Sequence, residues 1–103
     1  ASASGESSSV INIAKKAQKI GGRTISLTIF PNSTLAKLSS NILQIPAYTD
    51  KLPDSEENKR GILPGGSMFE EAVLLLADSL ILELALDQKV PVDRAFEKHA
   101  NLE

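Results

Sequence analysis

Apolar positions recur at helical spacing near the start of the chain. Val10, Ile13, Ala14, Ala17 and Ile20, with Ile11 beside them, predict an amphipathic helix over about residues 7–20. Lys15, Lys16 and Lys19 lie toward its end, where cations suit the helix dipole, and Glu6 lies near its start. Gly21-Gly22 should stop it as a left-handed cap. The pattern then changes period. Thr24 to Phe30 is β-branched and alternating, which predicts a strand, and Pro31-Asn32-Ser33 breaks it. Asn32 or Ser33 can cap a short helix through about Leu38, and Ile42 to Ile45 reads as a second strand closed by Pro46. Strands alternating with helices at this spacing predict a parallel α/β sheet.

Residues 47–66 are polar, with little to bury, and predict a mobile loop near a site or a linker. The longest element follows, a helix from about Ser67 to Leu86 that is apolar on nearly all sides. Its length suits a membrane, but Glu70, Glu71, Asp78 and Glu83 fall within it, so a lipid span is rejected. The expectation is a helix buried against a sheet on one side and a partner subunit on the other. Leu75 and Leu82, with Asp78 on the same stripe, mark the candidate oligomer surface. A last short helix is expected from about Pro91 to Lys98. No internal repeat is visible.

Composition narrows the function classes. The chain has 103 residues, enough for one small domain, and a net charge of −2, which gives no broad attraction to nucleic acid or anionic lipid. With no cysteine and a single histidine, thiol chemistry and multi-histidine zinc sites are excluded. Four scattered aromatics, Phe30, Tyr48, Phe69 and Phe96, do not make a base-stacking surface. The first ten residues lack the basic and apolar regions of a signal peptide, so a cytoplasmic setting is expected.

The candidate chemistry begins at residue 1. The run Ala1 to Ser9 is rich in hydroxyls, contains Gly5 and leads into a helix, whose N-terminal N–H groups and dipole favour an anion. A serine-rich cap or flexible terminus is the plainer alternative. Glu70 and Glu71 follow Gly65-Gly66-Ser67 in the first turn of the long helix. There they either complement the dipole or place a general base, tuned by partial burial, beside a polar pocket. His99 is either a surface residue or a proton-transfer group. In the charged stretch Asp50–Arg60, Lys59 or Arg60 can touch an anionic ligand, although no spacing singles them out.

Several motifs occur together: Ser-Ala-Ser-Gly-Glu-Ser at 2–7, a strand ending before Pro31-Asn32-Ser33-Thr34-Leu35-Ala36, Leu63-Pro64-Gly65-Gly66-Ser67-Met68-Phe69-Glu70-Glu71, and the closing His99-Ala100-Asn101-Leu102-Glu103. On these the chain resembles the 6-phospho-3-hexuloisomerases of the SIS (sugar isomerase) superfamily along essentially all its length. The resemblance implies an α/β fold, a three-layer α/β/α, flavodoxin-like parallel sheet. It implies interconversion of 3-hexulose 6-phosphate and fructose 6-phosphate through a cis-enediol, in the ribulose monophosphate route. No metal or organic cofactor is implied, and family members are typically tetramers with sites between subunits. Ser2, Ser4, Gly5 and Ser7 would hold the substrate phosphate. Glu70 is the first choice of base and Glu71 the second, and His99 would reach a neighbouring subunit's site. Family chains are about twice as long, so residues 1–103 are read as the C-terminal part of a single SIS domain. Two parallel strands cannot cover both faces or satisfy their edges, so the sheet is expected to be completed by another chain, as a dimer or higher oligomer. The alternative is a non-catalytic phosphosugar-binding module of a regulator. A pure sensor needs no base, so the presence of Glu70 and His99, with no helix-turn-helix segment, favours the enzyme.

Overall fold

The computed structural model describes residues 1–91. The expected helix from Pro91 to Lys98 and the candidate residue His99 lie outside the described residues, apart from Pro91 itself. The described elements are α1 (Ser8–Lys19), β1 (Ile25–Thr28), α2 (Thr34–Leu38), β2 (Asn41–Gln44) and α3 (Ser67–Asp87). They fall in two compact units, one of Ala1–Val73 and a second beginning at Leu74.

In the first unit the predicted alternation of helix and strand holds, with β1 shorter than the pattern suggests and β2 shifted by one residue. β1 and β2 pair in parallel, Ile25 opposite Asn41 and Thr28 opposite Gln44. The crossover between them is α2, whose N-cap Ser33 accepts a hydrogen bond from Ala36 N–H. Of the two expected caps it is therefore Ser33 that acts. α1 ends as its glycines require. Gly21 takes φ +74°, its N–H donates to Gln18 O at 3.0 Å, and Gly22 N–H donates to Ala17 O at 2.8 Å. These are the paired bonds of a left-handed helix stop, which a residue with a Cβ adopts only at a cost.

The other edge of β1 is lined by the first residues of the chain. Ser2 N–H donates to Leu27 O at 2.9 Å, and Ile29 N–H donates to Ala3 O at 3.1 Å. The core of this unit gathers Ala14 of α1, Ile29, Leu35 and Ala36 of α2, Ile45, Ala47, Tyr48 and Phe69, all buried. β2 is exposed at all of its positions.

The segment between β2 and α3 departs from expectation. Its composition predicts polar chain with little to bury, yet Tyr48, Thr49 and Asn58 are buried, Asn58 completely. The reason is internal hydrogen bonding rather than apolar area. Asn58 Oδ1 accepts from Thr49 N–H at 2.8 Å, and Asn58 Nδ2 donates to Thr49 O, Leu52 O and Pro53 O at 2.9–3.0 Å. Buried polar groups are tolerated when so paired.

α3 has the expected limits. Phe69 is its buried residue, whereas Leu75 and Leu82 are 68% and 55% exposed. Among the described residues no helix is long and apolar enough to cross a membrane.

Candidate functional site

The opening loop is built by its own polar side chains. Ser2 and Ser4 are buried, each 7% exposed. Ser2 Oγ accepts from Gly5 N–H at 3.2 Å and lies 3.1 Å from Ser7 Oγ, while Ser4 Oγ accepts from Glu6 N–H at 3.2 Å. Gly5 sits at φ +67°, and a methyl group there would run into Ser33 Cβ and Oγ. Leu35 N–H donates to Gly5 O at 3.0 Å, so the loop is docked on the start of α2. The four residues expected from sequence to form a phosphate cradle, Ser2, Ser4, Gly5 and Ser7, thus come together in one tight turn.

Where that turn enters α1, the helix end is open. Ser7 is the N-cap, in extended conformation, but its side chain makes no capping bond. The hydroxyl is directed to Ser2 instead. The first backbone N–H groups of α1 have no partner within the helix, and serine, a strong capping residue, leaves them uncapped here.

Glu6 does not serve α1, as its position suggests. Its Oε1 accepts from Thr34 N–H at 2.8 Å, at the start of α2. Hydrogen bonds from the Thr34 backbone and side chain, with the charge of Lys37, hold its carboxyl below the ordinary carboxylate value.

Beside the loop lies a cleft of about 420 Å³ within the first unit. Ala3 and Ala1 of the opening segment form part of its wall, Thr49, Asp50 and Lys51 another, and Gly66, Phe69, Glu70 and Val73 of the α3 start a third. Ala3 links cleft and loop, since its carbonyl accepts from Thr28 Oγ1 and Ile29 N–H at 3.1 Å each. Glu70 is therefore brought to the cleft. It is an exposed residue, not the partly buried one expected. Glu71, the second choice, is exposed and does not line the cleft.

The cations named from sequence are engaged elsewhere. Lys59 pairs with Glu56 at 3.1 Å, and Arg60 pairs with Asp54 at 3.4 Å and covers the Tyr48 ring at 5.4 Å. Among the described residues the side-chain cation lining the cleft is Lys51. Sequence reasoning also misses Asn58, which fixes the Thr49 backbone at the cleft wall. Neither has a periodic signal; the one clue to Asn58 is its place in a polar stretch after Pro53.

The first unit is thus a parallel α/β arrangement with a serine-glycine turn at the N-terminus of its first helix. The SIS domain family model matches residues 1–54, and the chain belongs to that family. It is 36% identical over 102 residues to a Bacillus subtilis protein named 3-hexulose-6-phosphate isomerase, covering 99% of this chain and 54% of that protein. A Mycobacterium gastri protein of the same name is 32% identical over 103 residues, covering 100% of this chain and 50% of its own length. A solved structure titled as that of a hypothetical protein superposes with a TM-score of 0.74 at 29% identity, over 97% of this chain and 52% of the other. The chain thus spans about half the length of the curated relatives it matches.

Proposed function

We propose that this chain carries the phosphate loop and the base of a phosphosugar isomerase that interconverts 3-hexulose 6-phosphate and fructose 6-phosphate. The observation behind this reading is the start of α1, where Ser7 caps no N–H group and the Ser2–Gly5 turn closes beside the open helix end. A phosphate there would meet helix N–H groups, the favourable end of the dipole and the Ser7 hydroxyl, while Ser2 and Ser4 hold the turn's shape. The names of the Bacillus and Mycobacterium relatives support 3-hexulose 6-phosphate as the sugar phosphate that is isomerised.

With the phosphate so held, the sugar carbons extend into the cleft that Glu70 lines. Glu70 then takes the proton from C2 of the 3-ketose. The C–H pair forms the C2–C3 double bond, and the carbonyl pair moves to O3. Return of the proton to C3, with transfer of the hydroxyl proton from O2 to O3, gives the 2-ketose. His99 of a neighbouring subunit is the proposed carrier of the oxygen-bound proton. The reading puts the enzyme in the cytoplasm, in the ribulose monophosphate route, as an oligomer in which a second chain covers the exposed leucines of α3 and the exposed strand β2.

The test is turnover of 3-hexulose 6-phosphate by the full-length protein and its Glu70→Gln variant. A loss of about 10²–10⁴-fold in kcat is expected for removal of a general base. Unchanged turnover in the variant removes Glu70 from that role. A wild-type protein that binds fructose 6-phosphate but never isomerises it belongs instead to the regulator type.

A further inference from the structure

Glu70 accounts for the carbon-bound proton, but not for the charge its removal creates. When a base takes a proton next to a carbonyl, the carbonyl oxygen becomes an oxyanion. A positive group at that oxygen offsets the developing charge. On the isomerase reading the free donors at the start of α1 serve the phosphate, so the charge must be met from elsewhere. Within the cleft that Glu70 lines, the side-chain cation among the described residues is Lys51, on the wall formed by Thr49, Asp50 and Lys51.

That wall is held firmly for an irregular segment. Thr49 N–H donates to Asn58 Oδ1 at 2.8 Å, Asn58 Nδ2 donates to Thr49 O at 2.9 Å, and Lys51 N–H donates to Thr49 Oγ1 at 3.4 Å. Asn58 is fully buried and Thr49 is 2% exposed, so the backbone from which Lys51 springs is anchored while its side chain stays exposed to the cleft. The anchored backbone fixes the point from which the lysine side chain reaches along the cleft. Its neighbours Lys59 and Arg60, drawn to Glu56 and Asp54, are not cleft residues.

We infer that Lys51 is a catalytic residue of this site, its ammonium group stabilising the oxyanion formed at the former carbonyl oxygen when Glu70 removes the adjacent carbon-bound proton. This rests on the isomerase reading. The lysine keeps its own proton; it offsets charge on the 2,3-enediolate and releases it when O3 is protonated and C3 regains its hydrogen. A lysine that instead held the phosphate would act equally on ground state and transition state, which separates the two roles kinetically.

The experiment compares the full-length wild type with Lys51→Met and Lys51→Arg, measuring kcat with 3-hexulose 6-phosphate and calorimetric binding of fructose 6-phosphate. Lys51→Met should lower kcat by about 10²–10³-fold, the usual loss when one oxyanion donor is removed. Its fructose 6-phosphate affinity should stay within about threefold of wild type, and Lys51→Arg should recover most of the rate. An unchanged kcat in Lys51→Met, or a loss confined to binding, overturns the inference while leaving the isomerase reading intact. A wild type without turnover overturns that reading, and the role of Lys51 with it.

Discussion

Two irregular segments of the first unit reach the same cleft by opposite means. The opening loop, Ala1 to Ser7, is turned by its own serines but held in place from outside. It hydrogen-bonds along β1 through Ser2 and Ala3, rests on Ser33 through Gly5 and is tied to α2 through Glu6. The loop between β2 and α3 is held from within, by one asparagine side chain that accepts from and donates to its own backbone. The first is fixed by what it leans on, so its weak point is steric fit. The second is fixed by polar satisfaction, so its weak point is a single amide.

The largest effect should come from Gly5→Ala. The substitution places a Cβ on a backbone at φ +67° and drives it against Ser33. Left-handed strain costs about 1–3 kcal/mol for a residue other than glycine, and overpacking costs a similar amount, so a total of about 3 kcal/mol or more is expected. Urea denaturation of the full-length protein should show this as a lower midpoint at constant m-value. If Gly5→Ala proves neutral, the loop is not braced on α2, and the contrast between the two segments fails on its first side.

Asn58→Ala tests the other side. It deletes the acceptor for Thr49 N–H and the donor to three carbonyls, in a position with no access to water. Leaving such groups unpaired costs about 1–3 kcal/mol each where they stay buried, but the loop can open to let water in, so about 2 kcal/mol is expected. Asn58→Asp sharpens the test. It keeps the shape and an acceptor for Thr49, yet turns a carboxylate oxygen toward the carbonyls of Thr49, Leu52 and Pro53. It should therefore be no milder than the alanine variant. An Asn58→Asp variant as stable as wild type would mean that packing, not donation, holds this loop.

The same contrast explains what can be read from the chain. Val10, Ile13, Ala14 and Ala17 announce α1 by their spacing, and Gly21-Gly22 announces its end, because both depend on neighbours a few residues away. The serine-glycine turn is legible for the same reason, and the pairing of β1 with β2 follows from the short crossover. Asn58 is not legible, because its role depends on four backbone groups that only the folded loop brings to it. Lys51 does not stand out among similarly spaced charges, since which of them faces the cleft is decided by the course of the loop. What covers Leu75 and Leu82, exposed on the single chain, is not legible, because an apolar helix implies cover somewhere without saying which chain supplies it.

The smallest effect should come from Glu6, the outermost tie of the opening loop. Its carboxylate accepts from Thr34 N–H at the start of α2, which favours the charged form in the folded protein. The sign follows from that preference. A carboxyl whose folded pKa lies below its unfolded value adds stability above the unfolded value, about 4.3 for glutamate, and loses it as pH falls through the folded pKa. Glu6 is exposed, so water and salt screen the interaction. The neutral Glu6→Gln amide still offers an oxygen to Thr34 and gives up only the charge. At neutral pH the variant should lie about 0.3 kcal/mol below wild type, and the gap should close on acidification below the glutamate range. Denaturation curves at neutral and acid pH measure that difference directly. A gap that instead widens on acidification would mean that Glu6 is held in its protonated form, and that the loop's tie to α2 is not an electrostatic one.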